Sequence, residues 1–400
     1  MLGLLAGAPV RAEQEWVVRD PVRQRVERVW AEGTVTPGAD GARPIVTITT
    51  DGRGHPTFVA PRRLGPPVDA RGRFVRAVVR VRGAVRLRGL EIRLGSDGFA
   101  TSWYALPVAR FADPEYNFLQ DGGWTAVTLG FGTAAVTGAP DRAAIDAVGL
   151  VVTDDATGTV EIDLAGIALV DEPREGVVTF TFDDGYAEHL AAARLMAERG
   201  WRGTAYVIPQ LLGRPAYLTP QDAAELGRLG FDVAAHDDPP FTTVPPAELE
   251  TRLRGLQAAL AGLGFAEGAR HLAYPLGKQE PVRVRPTVAR LFATARLAGG
   301  GPETIPPADP HLLRAVNVLH TTTPAEVGAW ARRAKTHREW LILMFHWLPE
   351  RATKPTDYAM ADFRRVLEEV GRSGVRVARL TDVWRQAAPG LAARPPFPGP

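Results

Sequence analysis

Val177-Val178-Thr179-Phe180-Thr181-Phe182-Asp183-Asp184-Gly185 is the stretch on which the fold turns. Val177 to Phe182 forms a compact, very apolar β-run, and two adjacent carboxylates end it. Paired carboxylates at the end of a strand suit two jobs at once. One can bind a cation while the other stays free as a base. Asp is also a favoured helix N-cap, so the pair alone carries both readings.

Outward from this run the periodicity is that of alternating strands and helices. A polar connector, Asp171 to Gly176, precedes it. After it, Leu249, Leu253, Leu256, Leu260 and Leu263 make one apolar helical stripe beginning near Pro246. Thr219-Pro220-Gln221-Asp222 and Thr323-Pro324-Ala325-Glu326 read as helix starts, with Thr capping, Pro in the first turn and an acid three residues on. Phe363, Val366, Leu367 and Val370 mark a late helix. Strands are expected at 177–182, 203–208, 232–236, 271–276, 293–297, 312–318, 340–346 and 375–380. That alternation predicts an α/β fold, a distorted (β/α)-type barrel over 177–385, with a disordered tail over 386–400.

In such barrels the catalytic candidates are polar residues at strand C-termini. His236 follows Asp232-Val233-Ala234-Ala235, and His346 follows Leu341-Ile342-Leu343-Met344-Phe345. A lone His is usually structural, but two of the eight histidines converge on the same mouth as Asp183 and Asp184. Tyr274-Pro275-Leu276-Gly277 ends a further strand, where a turn can aim a backbone N–H into the mouth.

The first half reads differently. Val75, Ala77, Val79 and Val81 alternate with Arg76, Arg80 and Arg82, which implies one buried and one wet face. Leu90, Ile92, Leu94 and Val160, Ile162, Leu164 repeat the pattern, and similar runs lie at 44–50, 124–131 and 147–153. Residues 13–171 are thus expected to form an all-β sandwich, jelly-roll-like, with 172–176 as linker. Its texture resembles carbohydrate-binding modules, and Trp103, Tyr104, Tyr116 and Trp124 could form a sugar-stacking platform, although buried aromatics are commoner.

Composition excludes several classes. The 400 residues contain no Cys, so there is no disulfide scaffold, thiolate metal site or Cys nucleophile. A formal charge of +2 and scattered arginines give no nucleic-acid surface, and no stretch is long and apolar enough to span a membrane. Only Lys278, Lys335 and Lys354 are lysines, a bias expected of a GC-rich bacterial genome. Residues 1–12, apolar from Leu2 and carrying Val10-Arg11-Ala12, read as the remnant of a signal peptide, which places the protein outside the cell or in its envelope.

Together the second-half motifs resemble the polysaccharide deacetylases, the NodB-homology carbohydrate esterases, over about 176–384. Thr181-Phe182-Asp183-Asp184-Gly185 is similar to their first motif, Ala273-Tyr274-Pro275-Leu276-Gly277 to their third, and Leu341 to His346 to their last. The resemblance implies a (β/α)7-type barrel and metal-dependent removal of N-acetyl groups from glycans. It makes Asp183 the base, Asp184 and His236 metal ligands, Tyr274 the donor of an oxyanion-hole amide and His346 the general acid. A divalent metal ion is implied, with zinc the expected one.

Two positions depart from the family pattern. Ala273 stands where many members carry an Arg beside the catalytic Asp. The second motif lacks its second His: Asp237-Asp238-Pro239-Pro240 follows His236, with Pro240 in that place. Zinc accepts carboxylate oxygen, and residues i and i+2 of an extended segment share a face, so Asp238 could complete the ligand set. Alternatively the site is degraded and the chain is a non-catalytic glycan-binding protein, or it removes a different acyl group.

Overall fold

The Val177–Phe182 strand pairs in parallel with Trp340–Phe345 along its whole length and with Thr204–Val207 at its C-terminal end. This closes a ring that continues through Asp232–Ala235, His271–Ala273, Thr294–Gly300 and Leu313–Asn317 back to Trp340–Phe345. Seven parallel strands form the barrel, and the two-residue strand Arg376–Val377 adds to the N-terminal end of the first. The structure, a computed structural model, describes residues 14–62, 64–110 and 118–392. The expected signal remnant, Tyr116 and residues 393–400 lie outside the described residues.

Crossover helices arise where the sequence signals them. Thr219 and Thr323 each form a capping box, accepting from the N–H of Asp222 or Glu326 while that acid's side chain accepts from the cap's own N–H. Helix Pro246–Gly262 buries Leu249, Leu253, Leu256 and Leu260. Leu263 falls just past the helix end and is 42% exposed, so the apolar stripe is one residue shorter than its spacing implies. Helix Leu380–Ala392 carries regular structure into the region expected to be a disordered tail from 386, because Leu380, Val383 and Ala387 are buried against barrel strands. No helix among the described residues is long and apolar enough to cross a membrane.

The N-terminal half is a β-sandwich of two six-stranded antiparallel sheets. Glu161–Asp171 pairs with Arg73–Arg82 in one, and Leu87–Gly95 pairs with Ala147–Asp154 in the other. Val75, Ala77, Val79 and Val81 face inward, as their alternation requires. The opposite face of that sheet is not wet. Ile45, Val78, Ala126 and Ala165 are buried there as a second apolar cluster, with Trp124 and the barrel's Ala308 packed against it.

The reason lies in the barrel. No helix joins Thr294–Gly300 to Leu313–Asn317, unlike the other crossovers between ring strands. Residues 301–312 cross as a loop, and the sandwich covers that flank. Arg314 donates to the carbonyl of Thr128 (2.6 Å) and pairs with buried Glu303 (2.7 Å). Arg285 donates to Trp124 O and Gln279 to Phe118 O. The Gly130-Phe131-Gly132 turn cradles Glu339, whose Oε1 accepts from Gly132 N–H at 2.9 Å. A Cβ at Gly130 would lie 2.3 Å from that carboxylate, and one at Gly132 2.5 Å.

The aromatic platform expected on the sandwich does not assemble. Trp103 and Trp124 lie on different sheets. The Trp124 ring is covered by the guanidiniums of Arg43 and Arg80, and its indole N–H donates to Asp40. Tyr104 packs edge-on against Phe131 and donates to Pro140 O.

Burial pushes the Glu339 carboxyl up to about 7, against the opposing pull of the Gly132 N–H, Arg333 and Arg314. Between its ordinary value of 4.5 and about 7 the folded chain binds more protons here than the unfolded chain. Stability should therefore fall as pH rises through that window. Urea unfolding of wild type and Glu339→Gln across it should show a slope that the variant lacks.

Candidate active site

Four of the residues singled out by sequence lie at the C-terminal end of the barrel. Asp183 and Asp184 follow the first strand, His236 the third and His346 the seventh. Strand geometry continues briefly past each assigned end, since Asp183 N–H donates to Phe345 O and His236 N–H to Val207 O. Asp184 then turns into the left-handed region (φ 73°), followed by Gly185 (φ 84°). That turn sends the two carboxylates to different surroundings.

Asp183 points into the barrel, where it is 4% exposed. Its partner is Arg296, itself 1% exposed, from the Thr294–Gly300 strand. One guanidinium nitrogen contacts both carboxylate oxygens, at 2.6 Å to Oδ2. The guanidinium also lies over the Tyr206 ring, 4.9 Å from its centre. An arginine is thus present beside the base candidate, although Ala273 occupies the position where the family pattern puts one. Sequence reading passed over Arg296. The available signal was an Arg in the middle of the apolar run Ala295-Arg296-Leu297.

Asp184 faces His236, with Oδ1 3.4 Å from Nε2. The other ring nitrogen of His236, Nδ1, lies 2.9 Å from the carbonyl of Ala273. A carbonyl can only accept, so Nδ1 carries the proton and Nε2 is left for Asp184's side. Burial raises Asp184, but the hydrogen bond and charge of His236, with His346 and His189 nearby, outweigh it and hold the carboxyl below its usual range. Burial likewise lowers His236, and the Asp184 hydrogen bond with the charges of Asp183 and Asp184 overcomes it, so the imidazole is shifted upward. The Asp184 carboxylate thus favours the charged form that a cation needs, whereas His236 would have to give up its Nε2 proton to ligate one. A separation of 3.4 Å suits two neighbouring ligands of a tetrahedral centre with bonds of about 2.0–2.1 Å.

Asp238 does not join this pair. Arg252 of helix Pro246–Gly262 grips the Asp237 carboxylate through Nε (2.5 Å) and a terminal nitrogen (2.9 Å), and donates to the backbone carbonyl of Asp238 (2.8 Å). Asp237 is buried by this clamp and the Asp238 side chain is left exposed. Among the described residues no three His, Asp or Glu side chains form a metal-binding group. Of the three residues expected to hold a metal, Asp184 and His236 are the two brought together.

Tyr274 is also not where its expected role needs it. Its N–H donates to Arg296 O at 2.9 Å, continuing the ladder between adjacent strands, and is not free to receive an oxyanion. The ring is buried. The turn after it holds Leu276 at φ 55° with its side chain exposed.

His346 is half-buried, and its Nδ1 has no hydrogen-bond partner among the described residues. Its backbone carbonyl lies 2.8 Å from Nε2 of His189, a buried residue of helix Glu188–Ala197 that the sequence reading did not select. Beside it, Tyr186 stacks on Tyr217 (5.2 Å, 15° between planes) and lies 6.2 Å from Trp347.

Residues 171–291 match the family described as Polysaccharide deacetylase. No curated protein matches this sequence. Among solved structures, the chain is similar to a family 4 carbohydrate esterase from Streptomyces lividans, with 17% identity over 51% of this chain and 91% of that one and a TM-score of 0.35. It is also similar to the chitin deacetylase of Colletotrichum lindemuthianum (12% identity, 52% and 87% covered, TM-score 0.36). A family 4 acetyl xylan esterase from Clostridium thermocellum gives 16% identity, 55% and 93% covered, and a TM-score of 0.37. The family match and the motifs at the barrel mouth fall on the same stretch, so residues 171–291 are a polysaccharide deacetylase domain by that match.

Proposed function

We propose that the protein removes N-acetyl groups from a polysaccharide outside the cell or in the cell envelope. The observation that carries this reading is the convergence of Asp183, Asp184, His236 and His346 on one barrel mouth, with Asp184 and His236 poised 3.4 Å apart. A divalent cation, zinc by the family's chemistry, would be held by Asp184 and His236 and would supply Lewis-acid polarisation of the acyl carbonyl.

The chain's own groups supply the rest. Asp183 is the base. Arg296 holds its carboxylate in place, and each oxygen retains a further lone pair for a water proton. His346 gives a proton to the departing amine. The exposed side chain of Asp238 favours a weaker cation site than a three-ligand set would make, so activity depends on added metal.

Asp183→Asn should lower acetate release from an N-acetylglucosamine oligosaccharide by roughly 10²-fold or more, with bound metal nearly unchanged. Unaltered turnover would remove Asp183 as the base. By elemental analysis after dialysis, Asp184→Ala and His236→Ala should each lose metal and Asp238→Ala should retain it. A wild-type chain that holds no metal and releases no acetate would favour a glycan-binding protein with a degraded site.

Arg296→Met strands a buried carboxylate. Urea unfolding should show a loss of about 3–5 kcal/mol, the scale for breaking a buried ion pair on one side. Adding Asp183→Asn should restore part of it.

A further inference from the structure

The ladder around the seventh barrel strand ends at Met344 and Phe345, whose carbonyls accept from Val318 N–H (2.9 Å) and Asp183 N–H (2.9 Å). The next carbonyl belongs to His346, and a side chain meets it in place of a neighbouring strand. Nε2 of His189 lies 2.8 Å from it. A carbonyl can only accept, so Nε2 carries the proton and donates.

The donor is firmly placed. His189 sits in the first turn of helix Glu188–Ala197, five residues after Asp184, and its backbone N–H donates to Tyr186 O (3.1 Å). Its ring is 1% exposed, lies 5.3 Å from the Phe182 ring and stands edge-on to Tyr186 at 5.8 Å. Leu190, Ala193 and Met196 anchor the same helix in the core. Burial lowers the His189 imidazole below its ordinary range, against the pull of the His346 carbonyl and of Asp184 and Asp183. The donor is therefore neutral and sets no positive charge beside a protonated His346.

A peptide chain has two soft dihedrals per residue. The strand fixes the peptide before His346, and His189 fixes the peptide after it. Both dihedrals of His346 are thus held, and its Cα–Cβ bond keeps one direction. A general acid works only within hydrogen-bond reach of the atom it protonates, so that direction matters to the chemistry. The same imidazole ties the turn that carries Asp183 and Asp184 to the end of the strand that carries His346.

We propose that His189 is a positioning residue for the reaction, which aims the His346 imidazole at the departing amine by holding the His346 carbonyl. The inference rests on the deacetylase reading above, with His346 as its acid.

The test compares two leaving groups in the full, metal-supplemented chain. One substrate is a β-1,4-linked N-acetylglucosamine tetrasaccharide, whose amine must be protonated as it leaves. The other is 4-nitrophenyl acetate, whose phenolate leaves without a proton. His189→Phe keeps a buried ring and removes the donor. It should lower kcat on the tetrasaccharide about tenfold with KM unchanged, and leave turnover of the nitrophenyl ester at the wild-type level. His189→Gln, whose amide N–H sits the same number of bonds from Cα, should restore most of the loss. Equal loss on both substrates, or a Gln variant as slow as the Phe variant, would overturn the positioning role and leave the deacetylase reading in place. A wild-type chain that releases acetate from neither substrate would sink that reading and the positioning role with it. If His189→Phe does not fold, His189→Gln still decides: tetrasaccharide kcat close to wild type supports the role, and a loss of about tenfold overturns it.

Discussion

The barrel is missing a helix on one flank, and most of the molecule's organisation answers that gap. A parallel strand needs both faces covered, because its side chains and its neighbours' backbone cannot be left to water. Residues 301–312 pass between two ring strands as a loop, so the cover comes from the outer face of an antiparallel sheet. The β-sandwich is thus part of the barrel's wall. Its contacts with Arg314, Arg285 and Gln279 bracket the strand Thr294–Gly300, which carries Arg296 to Asp183.

Buried carboxylates recur inside both halves, and arginine partners each of the following. Asp183 with Arg296, Glu303 with Arg314 and Asp237 with Arg252 all place a carboxylate that is nearly or wholly buried against a guanidinium. Asp163, also buried, takes two, Arg80 and Arg82. Guanidinium is planar, always charged and less strongly hydrated than ammonium, so it can enter such sites where lysine would lose its proton or its water at greater cost. A composition with three lysines among 47 basic residues thus has a physical counterpart inside the fold.

The antiparallel sheets and the barrel were legible because period two, helical stripes and capping boxes are local signals. Asp183, Asp184, His236 and His346 were legible because ends of successive parallel strands converge by topology. What failed was decided across the chain. Arg252, fifteen residues on, determines that Asp237 turns in and Asp238 turns out. The pairing of Tyr274 N–H depends on where the next strand's register ends. The sandwich's second face looked wet because its alternation is the same whether the polar residues meet water or another domain. Arg296 was hidden for the converse reason, since a lone arginine in a strand ordinarily marks the wet side.

The Gly130-Phe131-Gly132 turn has a consequence for heredity. Its two glycines are required by Glu339, a residue more than 200 positions away, and Phe131 is itself pinned under the Arg142 guanidinium at 3.8 Å. A module exchanged freely between proteins needs a surface indifferent to its neighbour. This sandwich carries the imprint of one barrel, and this barrel lacks the helix that would let it accept another. Parting the two halves would strip Glu339 of its glycine cradle and bare the cluster of Ile45, Val78, Ala126 and Ala165 in one step.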